Sequence, residues 1–154
     1  MAIDNKQLAK RLYDDVWTKG KLEAIDELID PSFEGHDPTL GTINRDAFRE
    51  SVKGYRGAFP DIKFEVNNVI TEGNFVLARW TARGTNRGSL MNMPATGKSA
   101  VVTGLDLHEV RNGKIVGSHV EFDALGMLRQ LGVDASQMPQ PSMRQQGTES
   151  RKHT

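Results

Sequence analysis

His119, Glu121 and Asp123 occupy alternate positions in the stretch HVEFDALGMLRQLG, residues 119–132. Two is the period of a strand, so a strand there sets all three on one face. An imidazole flanked by two carboxylates can take up and return protons if that face is turned towards a pocket. Val116, Val120 and Phe122 take the other parity and require apolar cover of their own. Asp123 has two readings. It directly precedes ALGMLRQL and can serve as the N-cap of that helix, or it is a pocket carboxylate. Taken alone, His119 and Glu121 fit a solvated or hydrogen-bonded role. His36, in GHDP, stands beside an Asx-type turn made by Asp37.

Other chemistries fare less well. TGKS (96–99) resembles the end of a phosphate-binding loop, but Asn92 stands where the first glycine is required, and a β-branched run follows instead of a helix. His36, His108 and His119 accompany several carboxylates, and Asp106 shares a strand face with His108. There is no HExxH and no Cys/His pair at zinc spacing, so no metal is expected. Without cysteine there is neither a thiolate nucleophile nor a disulfide. Lys plus Arg equals Asp plus Glu at 20 each, which argues against nucleic acid and against an anionic membrane as partners. No apolar run reaches transmembrane length, and MAIDNKQLAKRLYDDVW lacks the apolar core of a signal peptide. A cytoplasmic location is expected.

The elements that must position these residues follow from periodicity. Residues 4–18 read as a helix through Leu8, Leu12 and Val16, ended by Lys19-Gly20. A short second helix carries Leu22, Ile25, Leu28 and Ile29 and stops at Asp30-Pro31. SFEGHDPTLG (32–41) is rich in turn formers. Asn44 can cap a third helix with Phe48, Val52, Tyr55 and Phe59, broken by Pro60. The period then changes to two, with tight turns at Gly73-Asn74 and Asn112-Gly113 and a loop between Asn86 and Lys98. A last short helix spans 124–131. The polar segment 135–154 cannot offset its ordering entropy and is expected to be a disordered tail after one domain, 1–134. Helices followed by antiparallel strands mean α+β. The expected architecture is three helices on the concave face of a strongly curved, mostly antiparallel sheet of four or five strands, leaving a cone-shaped cavity.

The order GHDPTLG, FPD, RWTARGTNRG, PATGK, NGKIV and a closing D-x-x-G-x-L-R-Q-L-G resembles the SnoaL-like polyketide cyclases. These belong to the superfamily with the fold of nuclear transport factor two, ketosteroid isomerase and scytalone dehydratase. The resemblance spans roughly residues 5–133. It implies that Asp123, which matches the family's aspartate, is the acid/base in an intramolecular aldol closure of an aromatic keto-ester, without a cofactor. His36 or His119 would then donate to the enolate oxygen. Phe33, Phe48, Val52, Tyr55, Trp80, Asn86, Met91 and Glu121 are the expected contacts to a hydrophobic small-molecule substrate. Two positions depart from the family: Asn86 stands where a histidine is frequent, and His119 where a bulky aromatic is typical. The competing readings are a cofactorless hydroxylase and a binding protein without turnover. A homodimer is expected, burying the outer sheet face with Val116, Val120 and Phe122.

Overall fold

Asp4 opens the first helix by accepting a hydrogen bond from the Lys6 amide (3.2 Å), and α1 runs from Asn5 to Arg11. The computed structural model describes residues 4–134 and 136; the expected tail, 135–154, lies outside the described residues except for Ser136. The single helix expected over 4–18 is in fact two kinds of helix, because Leu12–Thr18 is wound as a π-helix. Its wider turns change the angular phase of the side chains, and Leu12, Tyr13 and Val16 all become buried. The Arg56 guanidinium donates to the Trp17 and Thr18 carbonyls (both 2.7 Å), and the Phe64 amide donates to Thr18 Oγ1 (3.0 Å). These contacts satisfy the end of the π-helical stretch and tie it to the sheet.

α2 (Ala24–Leu28) leads directly into β1 (Ile29–Asp37), which turns through 38–40 into β2 (Gly41–Ile43). The turn-rich reading of 32–41 therefore missed two strands. Their residues have low strand propensity, and the pairing is imposed by neighbours. Pro31 cannot donate to a ladder, and the register of β1 on β6 is irregular between Ile29 and Glu34, which accommodates it. Asn44 caps α3 (Arg45–Ala58) by accepting from the Ala47 amide (2.8 Å), as its type and position predict. β3 (Lys63–Glu72) and β4 (Phe75–Thr85) form one hairpin. β5 (Ser99–Arg111) and β6 (Lys114–Phe122) form another, closed by Asn112 and Gly113, both at positive φ. α4 (Ala124–Leu131) ends at Gly132, in the left-handed conformation that suits glycine.

The six strands form one sheet in the order β2-β1-β6-β5-β4-β3, with β1 parallel to β6 and every other pair antiparallel. The architecture is α+β, with the helices on one face of a curved, mostly antiparallel sheet. Apolar packing falls into two clusters. One joins α1, α2 and the strand ends around Leu8, Ile25, Leu28 and Ile115. The other surrounds Tyr13, Phe64, Trp80 and Leu131, and Trp17 packs against both.

β6 corrects the expected parity. Ser118 is buried and Val120 and Phe122 face the interior, whereas His119 and Glu121 are exposed. The register of β5 on β6 shifts between Glu109 and Val110, so that Val116 is the extra residue between Ile115 and Gly117. This bulge lets Ile115 and Ser118 point the same way despite their odd spacing. The polar trio is thus on the wet side and the apolar residues on the dry side, which is the arrangement that burial favours.

Candidate functional site

Between the helices and the concave sheet face lies a largely apolar cavity open to solvent, the kind of concave space in which small molecules bind. Phe33 and His36 of β1, Phe48 and Tyr55 of α3, Trp80 of β4 and Phe122 of β6 are among its walls. Aromatic contacts organise this wall: Phe64 and Trp80 ring centroids lie 4.8 Å apart, and Phe33 and Phe48 meet edge to face at 6.0 Å.

Into this apolar space β5 sets Asp106 and His108, two residues apart and therefore on one face. Both are buried, at 6% and 1% exposure, which is costly for ionisable groups unless they are partnered. The partners are present. Tyr13, from the π-helical turn, donates its hydroxyl to Asp106 Oδ2 at 2.6 Å, and the same hydroxyl lies 2.8 Å from His108 Nε2. His108 Nδ1 lies 2.6 Å from the hydroxyl of Ser118, its direct neighbour across the β5–β6 ladder. Asp106 Oδ1 has no hydrogen-bond partner, nor do the buried Trp80 Nε1 and Tyr55 Oη.

This environment reshapes the titrations. Burial pushes the Asp106 carboxyl up to about 7, against the hydrogen bond from Tyr13 and the nearby Trp80 indole, which favour its charge without the indole closing a hydrogen bond. The charge of Asp37 adds to the rise. Burial lowers His108 to about 4, so its ring is neutral near neutrality, one nitrogen donating and the other accepting. Burial and the Asp106 charge hold the Tyr13 hydroxyl protonated, and burial does the same at Tyr55. The result is a carboxyl that exchanges protons near neutral pH with one oxygen unpartnered, the requirement for a general acid/base.

The expected site residues divide. Phe33, Phe48, Tyr55, Trp80 and His36 line the cavity. Asp123 does not: it is exposed, and its Oδ1 accepts from the Gly126 amide at 2.8 Å as the N-cap of α4. His119 is exposed and stacks flat on the His36 ring, with centroids 4.4 Å apart, so the imidazole of His36 is engaged at the rim. Glu121 is exposed on the same outer face, opposite Leu105. Val52 is fully buried in the helix–sheet core and does not line the cavity. Asn86 is buried, but its amide is consumed by the loop it anchors: Nδ2 donates to the Gly88 carbonyl (2.9 Å) and Oδ1 accepts from the Thr96 amide (2.8 Å). Met91 packs on the second apolar cluster from that loop, outside the cavity lining. Asp37 makes the expected Asx turn, accepting from the Thr39 and Leu40 amides (2.7 and 3.0 Å), and does so at the cavity wall.

The residues that sequence reasoning did not select are Tyr13, Asp106, His108 and Ser118. The alternation of Asp106 and His108 was visible; the inward direction of that face and the phase of the π-helical turn were not. Among the described residues no group of three or more His, Asp or Glu side chains is arranged to hold a metal ion.

No curated protein matches the chain. Among solved structures it is similar to IdmH, a candidate polyketide cyclase from Streptomyces antibioticus, at 30% identity over 83% of this chain and 98% of that one, with a TM-score of 0.74. AclR, a candidate hydroxylase from Streptomyces galilaeus, is 22% identical over 82% of this chain and 80% of its own, with a TM-score of 0.74. A Catenulispora acidiphila protein with a ketosteroid isomerase-like fold is 15% identical over 88% of this chain and all (100%) of its own, again at 0.74. The last two similarities speak for the fold alone. The model of the SnoaL-like polyketide cyclases matches residues 7–131, which takes in every strand and helix described except the first two residues of α1. On that match the chain belongs to the SnoaL-like polyketide cyclase family.

Proposed function

We propose that the protein is a cofactor-independent cyclase that closes a ring by intramolecular aldol addition in an aromatic, polyketide-like keto-ester, with Asp106 as the acid/base. The observation that carries this reading is the unpartnered Oδ1 of a buried carboxyl that titrates near neutrality beside an apolar cavity. Above its midpoint Asp106 is ionised and basic enough to take an activated proton flanked by two carbonyls. The resulting enolate attacks a second carbonyl of the same molecule, which the cavity holds nearby, so little entropy is lost in reaching the transition state. Protonated Asp106 then returns its proton to the new alkoxide. Trp80 Nε1 and Tyr55 Oη, buried without partners, are donors of the kind that developing oxyanions and ketone oxygens require. In this reading Asp106 takes the role that the family resemblance assigned to Asp123.

A homodimer forms part of the proposal. The register places Ile70, Leu77, Leu107, His119 and His36 in one row across five strands, on the outer face with Leu105 beside it. This row replaces Val116, Val120 and Phe122 as the apolar surface that a second copy would cover. No described helix is long and apolar enough to cross a membrane; a cytoplasmic site of action stays part of the proposal.

The test is turnover of a keto-ester by Asp106→Asn and Asp123→Asn side by side. Loss of turnover in the first and retention in the second is the expected result. The reverse pattern would return the acid/base role to Asp123.

A further inference from the structure

The contacts around His108 form a series, not a cluster. Ser118 Oγ meets Nδ1, Tyr13 Oη meets Nε2, and the same Tyr13 oxygen meets Asp106 Oδ2. His108 Nε2 and Asp106 Oδ2 lie 4.0 Å apart, so the tyrosine is the necessary link. Each interior member can both donate and accept. Two hydrogen-bond polarities therefore satisfy the whole chain. In the first, Ser118 donates to Nδ1, Nε2–H donates to Tyr13, and Tyr13 donates to an ionised Asp106. In the second, Asp106 carries a proton on Oδ2 and donates to Tyr13, Tyr13 donates to Nε2, and Nδ1–H donates to Ser118. The second state holds one proton more than the first, and the ring is neutral in both. Both ends of the series face the cavity, since Ser118 and Asp106 are among its walls.

We propose that Ser118, His108, Tyr13 and Asp106 form a reversible proton relay that gives the cavity a second proton port at the Ser118 hydroxyl. When Ser118 Oγ takes a proton from a substrate C–H, its own proton passes to Nδ1. The Nε2 proton then passes to Tyr13 and the Tyr13 proton to Asp106 Oδ2. The carbon keeps the electron pair of the broken C–H bond, and one O–H bond forms on Asp106. The reverse sequence delivers a proton at Ser118. Removal and return of protons can thus occur at two places on a bound molecule without its turning over. This deepens the cyclase proposal and rests on it for the identity of the substrate. The other ionisable groups turned towards the cavity are Asp37 and Tyr55, and of these Asp37 acts on Asp106 through its charge; the His36 ring stacks on His119 at the outer rim, and Arg83 is exposed.

A relay predicts a signature that a fixed structural network lacks: His108 changes tautomer, without becoming cationic, as Asp106 titrates. The experiment follows the imidazole ¹⁵N and carboxyl ¹³C resonances of the full-length chain across neutral pH, with His108→Gln to assign the ring. Nε2 is expected to carry the proton above the Asp106 midpoint and Nδ1 below it. Ser118→Ala removes the acceptor for Nδ1–H and should lock the Nε2–H tautomer, and Asp106→Asn should abolish the pH response. A single tautomer throughout, a doubly protonated ring, or an Asp106 that does not titrate in this range would each overturn the relay. With a keto-ester in hand, Ser118→Ala should lower kcat at least tenfold with KM little changed, and Ser118→Thr should restore it; unchanged kcat in Ser118→Ala would also overturn it. The resonance experiment needs no substrate, so its failure leaves the cyclase proposal standing. An inert keto-ester leaves the relay standing.

Discussion

Asp106, inside β5, and Asp123, directly after β6, separate two tasks that a carboxylate can perform. Asp123 is exposed and spends one oxygen on the Gly126 amide, whereas Asp106 is buried with one oxygen unpartnered. Asn caps a helix about as well as Asp, so Asp123→Asn should leave both stability and turnover close to wild type. Asp106→Asn keeps the shape but removes the titration, and kcat should fall by about 10²–10⁴-fold, the usual worth of a positioned acid–base group. Steady-state kinetics with circular dichroism on both variants settles the contrast. At this scale the sequence was legible in part. The Asp123 cap was one of two readings open from its position before ALGMLRQL, and Asp106 and His108 were seen to share a face. Which face was inward was not legible, because the relevant fact is what lies across the cavity, and Tyr13 is 93 residues from Asp106.

Elements set these residues by means that are only partly local. The caps at Asn44 and Asp123 and the turn at Asn112-Gly113 act over two or three residues and were readable as such. The π-helical turn and the Val116 bulge were not, because neither has a composition of its own; each is selected by the packing it allows. β1 was hidden for the same reason, its turn-forming residues being recruited by β6. Gly104 illustrates a local choice made for a neighbour. It pairs with Trp80 on one side and Phe122 on the other, and a Cβ there would overlap the Trp80 ring that covers it. Gly104→Ala should displace Trp80 from the cavity wall and cost about 1–3 kcal/mol, as overpacking usually does. Urea denaturation gives the cost, and a changed tryptophan fluorescence reports the displaced ring; an unchanged midpoint would mean that the sheet absorbs the methyl group.

For the molecule as a whole, the outer and inner sheet faces lead to different measurements. Ile70, Leu105 and Leu107 are 62, 46 and 39% exposed on the outer face, where an antiparallel sheet turned to water ordinarily places polar residues. Leu107→Arg should convert the proposed dimer to a monomer by light scattering without loss of fold, and a wild-type mass of 17.1 kDa in solution would contradict the dimer itself. The inner face governs stability against pH. The Asp106 carboxyl, raised from 3.8 to about 7, keeps a proton in the folded state that the unfolded chain has released, so its contribution to stability falls as pH rises between those values. His108, lowered from 6.5 to about 4, behaves oppositely: the unfolded chain holds the proton, and stability is lost as pH falls through that window. Each slope is about 1.4 kcal/mol per pH unit, and where the windows overlap the two oppose each other. Removing one partner should expose the other. From about pH 4.5 to about pH 6.5, Asp106→Asn should become more stable relative to wild type and His108→Gln less stable, by about 1–3 kcal/mol in each case. Urea midpoints for the three proteins at the two pH values decide this. Parallel pH dependence in all three would mean that neither buried group is titrated by folding, and the assignment of Asp106 as a carboxyl active near neutrality would fall with it.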